Sequence, residues 1–390
     1  MRVAALAEGL KHSSLEPGSP DREIADITND SRRVAAGSLY AALPGLHVDG
    51  HRFIGDAIAS GAAAILCERL PHAPQPDVAW FVAADARMAL SELSDRFFRH
   101  PSRDLDVIGV TGTDGKTSTV YYIHQLLLAI AGSSSFLSTA AMQIGQTEQA
   151  NALHQSTPEA PEVHRTLRTM ADHGSRYAVL ESTSHGLSHR TCRLAHVHYR
   201  VGVFTNLSHE HLEFHGTFEA YRSDKANLFR SLEGGFGVVN RDDENAGYFA
   251  EAAAGEVIGY GIERHAEYGA RDVDLDSTGS RFTLVTPSGT APCSLPIPGL
   301  FNVSNALAAA AAVQRLTGCE NDRLAAAIAA LRSVRGRMTV VQREPFSVVV
   351  DYAHTPGSFE NVLPFFRQQC AGRLIVVFGS AGDRDVAKRP

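Results

Sequence analysis

The sequence predicts an α/β protein built around a largely parallel sheet, and three observations carry that expectation. From Leu105 onward, β-branched apolar runs alternate with stretches of helical spacing. One run, "LDVIGV" (Leu105 to Val110), passes straight into the glycine-rich turn "TGTDGKTST" (Thr111 to Thr119) and then into an apolar helical stretch. Apolar residues form 44% of the 390, against 20% charged, so the chain can bury sizeable cores. That length corresponds to two or three domains.

The elements follow in order. "GSLYAALPG" (Gly37 to Gly45) has strand character and ends in a Pro-Gly turn signal. "FIGDAIASGAAAILCE" reads as a helix stopped by Gly61 and then a strand. "DARMALSELSDRFFRHPSRD" is a helix broken at Pro101, which sets a first domain of residues 1–100. "TSTVYYIHQLLLAIAG" carries apolar residues at helical spacing and ends at Gly132. Strands are expected at "YAVLE" (Tyr177 to Glu181) and "VGVFTN" (Val201 to Asn206), with a helix at "APEVHRTLRTMADHG" between. Such alternation implies a sheet covered on both faces. The alanine-rich helix "NVSNALAAAAAVQRL" opens at Asn302 or Ser304, and "NDRLAAAIAALRSV" begins with an Asn or Asp cap. A central domain of 101–335 results. From Gly336 the pattern restarts, with a strand at "FSVVVD", a helix at "GSFENVLPFFRQQC" and a second strand at "RLIVVFG". Two strands and a helix do not close a domain, so 336–390 is expected to be the start of an incomplete third one.

Composition narrows the function classes. The net charge is −7 and the basic residues are scattered, which points to neither nucleic acid nor a membrane surface as partner. Five widely spaced cysteines, at 67, 192, 293, 319 and 370, give neither a disulfide framework nor a zinc site. The start "MRVAALAEGL" lacks the pattern of a signal peptide, and no apolar run is long enough to span a bilayer. The expectation is a soluble cytoplasmic protein.

The glycine turn carries chemistry. Gly109, Gly112 and Gly115 recur at every third position, followed by Lys116, Thr117 and Ser118. Glycine lets backbone N–H groups close on an anion, and the following helix aims its positive end at the same spot. Lys116 supplies a full charge for β/γ-phosphates, and Thr117 or Ser118 can ligate Mg²⁺. The strict G-x-x-x-x-G-K-[ST] pattern would need glycine at 110, where Val110 stands. A glycine turn of purely structural use is the bland alternative. Glu181, at the end of "YAVLE", sits where open α/β sheets place ligands. His209, His211 and His215 suggest a zinc cluster at first sight, but no cysteine lies near and the spacing fits no common zinc pattern.

The G-x-x-G-x-x-G-K-T spacing resembles the Mur ligase superfamily. "ESTSHGL", "FTNLSHEHLEFHGTFEAYRSDKANLF", "GLFNVSNALAAAAAV", "GRM", "DYAHTP" and "VFGSAGDRDVAKRP" follow in the order of its MurE-type enzymes, the UDP-N-acetylmuramoyl-dipeptide amino-acid ligases of peptidoglycan synthesis. "DSRRVAAGSLYAALPGLHVDGHRFI" is similar to the uridine-binding domain of that family. The resemblance covers nearly the whole chain. It implies a small amino-terminal uridine-binding α/β domain, a central P-loop ATPase domain and the start of a Rossmann-like ligase domain. The implied chemistry is ATP-driven amide formation with Mg²⁺: a substrate carboxylate becomes an acyl phosphate, and the amine of an amino acid displaces phosphate.

What the resemblance implies can be placed on residues. Gly112, Thr113, Asp114, Gly115, Lys116, Thr117 and Ser118 cradle ATP, joined by Asn302, Arg337 and Asp351. Lys116, Glu181, His211 and Lys225 are the catalytic set, and Thr117, Glu181, His211 and Lys225 the metal set. Lys225 is implied to be carbamylated, which turns a cation into a carboxylate-like ligand. Ser31, Ser156, Thr157, Thr183 and Arg193 bind the UDP-sugar peptide. Four departures stand out. Glu210 replaces an aspartate, Asp114 an asparagine and Thr183 a serine, and "LSHRTCRL" is two residues longer than usual, so Arg190 competes with Arg193. Monomers are usual in the family. Two other readings are carried forward. One is a related carboxylate–amine ligase such as folylpolyglutamate synthase, which lacks the uridine-binding domain. The other is a nucleotide-binding fragment with little activity. The choice of amino acid, among meso-diaminopimelate, lysine and ornithine, is expected to lie past Pro390.

Overall fold

The computed structural model describes residues 1–45, 48–151, 155–276, 278–354 and 356–379. These form two compact units. The first comprises Met1–Asp104, Thr157–Asp172 and His185–Val197; the second comprises Leu105–Ser156, His173–Ser184 and the residues from His198 on.

The first unit holds a five-stranded sheet. Its strands are β1 (Ser14–Leu15), β2 (Asp26–Thr28), β3 (Ser38–Ala41), β4 (Ala64–Cys67) and β5 (Ala79–Val82), in spatial order β1-β5-β4-β3-β2. All pairs are parallel except β1 with β5. Side chains alternate across a strand, and here both faces are covered. Leu39, Leu66 and Phe81 pack toward the helix Ala86–Phe97. Tyr40, Ile65 and Trp80 pack toward the helix Ile54–Ala59. This explains why the central strand β4 and its neighbour β5 read as unbroken apolar runs. The helix Ala160–Asp172, which follows the glycine loop in sequence, returns to this unit and packs on Ala86–Phe97. Ion pairs Arg33–Glu162 (2.6 Å), Arg165–Asp26 (2.7 Å) and Arg168–Asp104 (2.7 Å) hold it there.

The second unit holds an eleven-stranded sheet. Its strands are β6 (Asp106–Thr111), β7 (Ser135–Leu137), β8 (Ala141–Ile144), β9 (Thr147–Ala150), β10 (Tyr177–Glu181), β11 (Val201–Phe204), β12 (Phe236–Asn240), β13 (Glu256–Gly261), β14 (Tyr268–Leu275), β15 (Ser280–Thr286) and β16 (Gly289–Leu295). The spatial order is β16-β15-β14-β13-β12-β11-β6-β10-β7-β8-β9. The run from β7 to β14 is parallel, as expected, with β6 between β10 and β11. Antiparallel hairpins extend both edges. The helices Lys116–Ala131 and Leu300–Thr317 pack against each other over this sheet. Ala306 to Ala312 are at most 1% exposed, because small side chains let the backbones approach.

Three expectations need correction. The alanine-rich helix starts at Leu300, two residues early, because Gly299 takes the turn at φ 99° and Asn302 spends its amide on Pro298 O at 2.7 Å. The next helix, Asn321–Ala329, has Glu320 in the cap position and no side-chain cap. Asn321 instead accepts hydrogen bonds from Thr286 and Gln314, both at 2.8 Å. Arg373–Gly379 is not a strand: nothing among the described residues pairs with it, and Val377 is 94% exposed. β-branched composition makes a strand only where a ladder partner exists. The remaining third-domain elements are an antiparallel pair, β17 (Thr339–Gln342) with β18 (Val348–Val350), and the helix Pro356–Gln369. The "VFGSAGDRDVAKRP" segment lies, from Ser380, outside the described residues. The five cysteines are free. Among the described residues, no helix is long and apolar enough to cross a membrane.

Candidate active site

β6 delivers the chain to a loop that only glycine can form at two points. Gly112 has φ 147°, and a Cβ there would stand 1.9 Å from Thr205 Oγ1. Gly115 has φ 82°, and its Cβ would stand 2.5 Å from Asn305 Oδ1. Gly115 is also the residue from which the helix Lys116–Ala131 starts, so the helix's free N–H groups and positive end face the loop. Lys116 Nζ curls back to donate to Thr113 O at 2.6 Å.

Thr205 and Asn206, expected as the end of the strand "VGVFTN" and given no role at the site, instead follow β11, which stops at Phe204, and brace this loop. Asn206 Oδ1 accepts from Asp114 N (2.9 Å), and its amide donates to Asp114 O (3.1 Å). Thr205 Oγ1 donates to the same Asp114 O at 2.7 Å. The available signal was their place at a parallel strand's C-terminal end, beside the loop's own strand. The Asp114 carboxyl is raised above its usual range, chiefly by desolvation and against the pull of Lys116.

Glu181 ends β10 next door and is 4% exposed. Its Oε2 accepts from Thr117 Oγ1 at 3.0 Å and from Thr139 N at 2.9 Å; its Oε1 accepts from Thr139 Oγ1 at 2.7 Å. Thr139 is therefore a further group missed from sequence. Arg337 Nη2 reaches Thr117 Oγ1 at 3.4 Å, while its guanidinium lies 4.3 Å over the Tyr352 ring. Ser118 is buried in the first turn of the helix.

Lys225 enters from the helix Phe218–Arg230. Its Nζ donates to Gly112 O at 2.6 Å and sits 4.5 Å over the Tyr221 ring. Burial, then the charge of Lys116, pushes its pKa well below the ordinary range. Tyr221 in turn shares a hydrogen bond with Thr113 Oγ1 at 3.1 Å. His211 lies at φ 56° just ahead of the helix Leu212–His215, with its own pKa lowered chiefly by burial. Its Nε2 is 3.6 Å from Glu210 Oε2, and Glu210 Oε1 is 3.5 Å from His354 Nε2. The three histidines diverge. His209 stacks on Phe218, and His215 bonds Asp224 and Ser184. Among the described residues, no group of three His, Cys, Asp or Glu side chains is placed to hold a metal ion.

Asn302 accepts from Tyr122 OH at 3.0 Å, and Asp351 accepts from Met338 N and Ala353 N at 2.8 Å each. Of the residues expected to bind the sugar peptide, Ser31, Thr157 and Arg193 belong to the first unit, Ser156 and Thr183 to the second. Arg193 Nη1 donates to Thr157 O at 2.9 Å and Nη2 pairs with Glu159 at 2.5 Å. Arg190 is exposed, with its backbone N–H on Ser188 Oγ. Ser31 opens a 3₁₀ turn capped by Asp30.

A glycine loop that feeds a helix, with a buried carboxylate at the adjacent strand end, defines an α/β protein of the phosphate-loop class. The chain belongs to the Mur ligase family. Family models match as the Mur ligase catalytic domain over 23–98, the Mur ligase middle domain over 110–313 and the glutamate ligase domain over 336–390. A UDP-N-acetylmuramyl-tripeptide synthetase of Roseiflexus sp. is 43% identical, over 99% of this chain and 79% of that protein. A UDP-N-acetylmuramoyl-L-alanyl-D-glutamate–2,6-diaminopimelate ligase of Bacillus velezensis is 38% identical, over 100% of this chain and 80% of that protein. Among solved structures, a UDP-N-acetylmuramoyl-L-alanyl-D-glutamate–2,6-diaminopimelate ligase superposes with TM-score 0.76 at 30% identity, over 94% of this chain and 74% of that one. MurF from Acinetobacter baumannii gives TM-score 0.69 at 25% identity, over 90% of this chain and 73% of that one.

Proposed function

We propose that this chain is an ATP-dependent ligase of peptidoglycan synthesis. It adds a diamino acid to the D-glutamate of UDP-N-acetylmuramoyl-L-alanyl-D-glutamate through an acyl phosphate, as a cytoplasmic monomer. The observation that carries the reading is the pairing of near-full-length similarity to tripeptide synthetases with a glycine loop on which Lys116, Thr117, Glu181 and Lys225 converge. Residues 1–100 take the UDP moiety, 101–335 hold ATP, and 336–390 begin the ligase domain.

The residues divide the work. The loop Gly112 to Ser118 and the Lys116 ammonium hold the β/γ-phosphates, through the loop N–H groups other than those of Thr113 and Asp114, which Asn206 already takes, and Arg337 adds a second cation beside Thr117. Asn302 and Asp351 serve the nucleoside. Ser31, Ser156, Thr157, Thr183 and Arg193 hold the UDP-dipeptide and orient its carboxylate.

The donor set fits Mg²⁺. Thr117 and Glu181 offer oxygens 3.0 Å apart at a helix N-terminus, and this ion takes few protein ligands and keeps waters. His211 and a carbamylated Lys225 would complete its surroundings. Bound there, the ion would offset the charge that gathers when two anions meet.

The test is ATP hydrolysis by the purified chain with UDP-MurNAc-L-Ala-D-Glu and each of diaminopimelate, lysine and ornithine, beside a folate arm. Phosphate release that requires the UDP-dipeptide is expected. Turnover with folate alone would reverse the assignment.

A further inference from the structure

His215 is joined at both ring nitrogens to residues that flank the reaction groups. It closes the four-residue helix Leu212–His215, and its side chain is fully buried. Nδ1 lies 2.8 Å from Asp224 Oδ2, and Nε2 lies 3.0 Å from Ser184 Oγ. A carboxylate only accepts, so Nδ1 carries a hydrogen and Nε2 faces the serine hydroxyl. Asp224 is the residue before Lys225, and Ser184 follows Thr183 and stands three residues after Glu181. The imidazole also lies 5.1 Å from the Tyr221 ring, the same ring that carries Lys225 Nζ at 4.5 Å.

We propose that His215 is a positioning residue for the ligation reaction: it locks the turn bearing Thr183 to the helix bearing Lys225. The inference rests on the ligase reading above. The Ser-His-Asp order looks like a nucleophile triad, but Ser184 is 1% exposed and its hydroxyl cannot meet a substrate carbonyl. The three side chains form a clip, and its two ends serve different groups. The Ser184 end holds the turn with Thr183, a hydroxyl assigned to the UDP-dipeptide. The Asp224 end holds the helical turn that aims Lys225 at Gly112 O. Partners one step removed from reacting groups fix orientation, and their loss costs about 10- to 100-fold in activity.

The clip therefore splits kinetically. Ser184→Ala is expected to act mainly on KM for the UDP-dipeptide, and Asp224→Ala mainly on kcat, each by about tenfold. Substitution of His215 itself separates the ends. His215→Asn keeps an amide N–H near the Nδ1 position, so it resembles Ser184→Ala. His215→Gln reaches the Nε2 position, so it resembles Asp224→Ala. His215→Ala combines both defects, and adding Ser184→Ala to it raises KM no further.

The experiment measures kcat and KM of UDP-MurNAc-L-Ala-D-Glu for the full chain and these variants, with melting temperature alongside. A merely structural role would lower melting temperature and active fraction together, with KM unchanged and Asn and Gln alike; that result overturns the proposal. So does His215→Ala with both constants within about twofold of the parent. Should His215→Ala fail to fold, the Ser184→Ala and Asp224→Ala split decides: opposite constants support the clip and identical ones overturn it. A parent protein with neither turnover nor binding of the UDP-dipeptide overturns the ligase reading, and this inference with it. An active parent with indifferent variants overturns this inference alone.

Discussion

Lys116 and Lys225 donate to neighbouring carbonyls of one loop, Thr113 O and Gly112 O, each at 2.6 Å. They arrive from different helices, and Lys225 is 1% exposed. Desolvation, with Lys116's charge second, favours the uncharged Lys225 amine. A neutral amine attacks CO₂: nitrogen bonds to carbon, one proton leaves, and a carboxylate-like group results.

Bicarbonate dependence follows. Protein prepared in CO₂-depleted buffer is expected to lose UDP-dipeptide-dependent ATP hydrolysis and regain it when bicarbonate returns. ¹³C-bicarbonate should give a carbamate resonance that Lys225→Arg lacks. Full activity without CO₂, together with no labelled resonance in the parent, would remove the carbamate from the account.

Lys116 is the only full positive charge contributed by the loop itself, and it is half-buried. Lys116→Ala should lower turnover by about 10²- to 10³-fold. It should change stability by only about 0.5 kcal/mol, since little packing is lost. Steady-state phosphate release and a thermal melt check both. Undiminished turnover would detach the loop from the chemistry.

Gly112→Ala tests the loop's shape rather than its charge. The new Cβ would stand 1.9 Å from Thr205 Oγ1, which itself holds Asp114 O at 2.7 Å. Either the brace or the loop must give, at about 1–3 kcal/mol of strain, and nucleotide binding should be lost. Gly132→Ala is the control. It also has positive φ, at 73°, but meets nothing within 4 Å. It should cost about 1 kcal/mol and leave affinity intact. Calorimetric titration with a non-hydrolysable ATP analogue, beside melting curves, distinguishes the two.

Local pattern exposed those parts of the protein whose cause is local. The "YAVLE" strand has the bounds read from its residues, because a parallel strand buried on both faces is a short apolar run wherever it lies. The helix after Lys116 ends at Gly132 for an equally local reason, a left-handed cap. What the chain hid depends on distant partners. Thr139 and Glu181 are 42 residues apart, and Asn206 and Asp114 are 92 apart. Nothing in "LSTAAM" or "FTNLS" alone announces a brace. The return of Ala160–Asp172 to the first unit rests on Arg165–Asp26, a pair 139 residues apart. The failed strand at Arg373–Gly379 teaches the converse: composition offers a strand, and only a neighbour makes one.

His164 gives the first unit a predictable acid response. It is fully buried on the helix Ala160–Asp172, and neither ring nitrogen has a hydrogen-bond partner among the described residues. Asp95 Oδ1 stands 3.5 Å from its Nδ1, and His100 and His196 add repulsion. Desolvation chiefly lowers its pKa from 6.5 to about 3, and that of nearby His196 from 6.5 to about 4. With the folded value depressed, the unfolded chain binds more protons throughout that interval. Stability therefore falls as pH drops below 6.5, by up to about 1.4 kcal/mol per pH unit for each histidine. Asp95, whose carboxyl is raised by burial, acts in the opposite sense at the acid end. His164→Phe, which keeps a flat ring and removes the titrating group, should flatten the fall between about pH 6 and pH 4. Urea melts at stepped pH measure it. A parent protein equally stable at both ends of that window, or a His164→Phe variant with an unchanged slope, would mean that this imidazole is not held neutral by its burial.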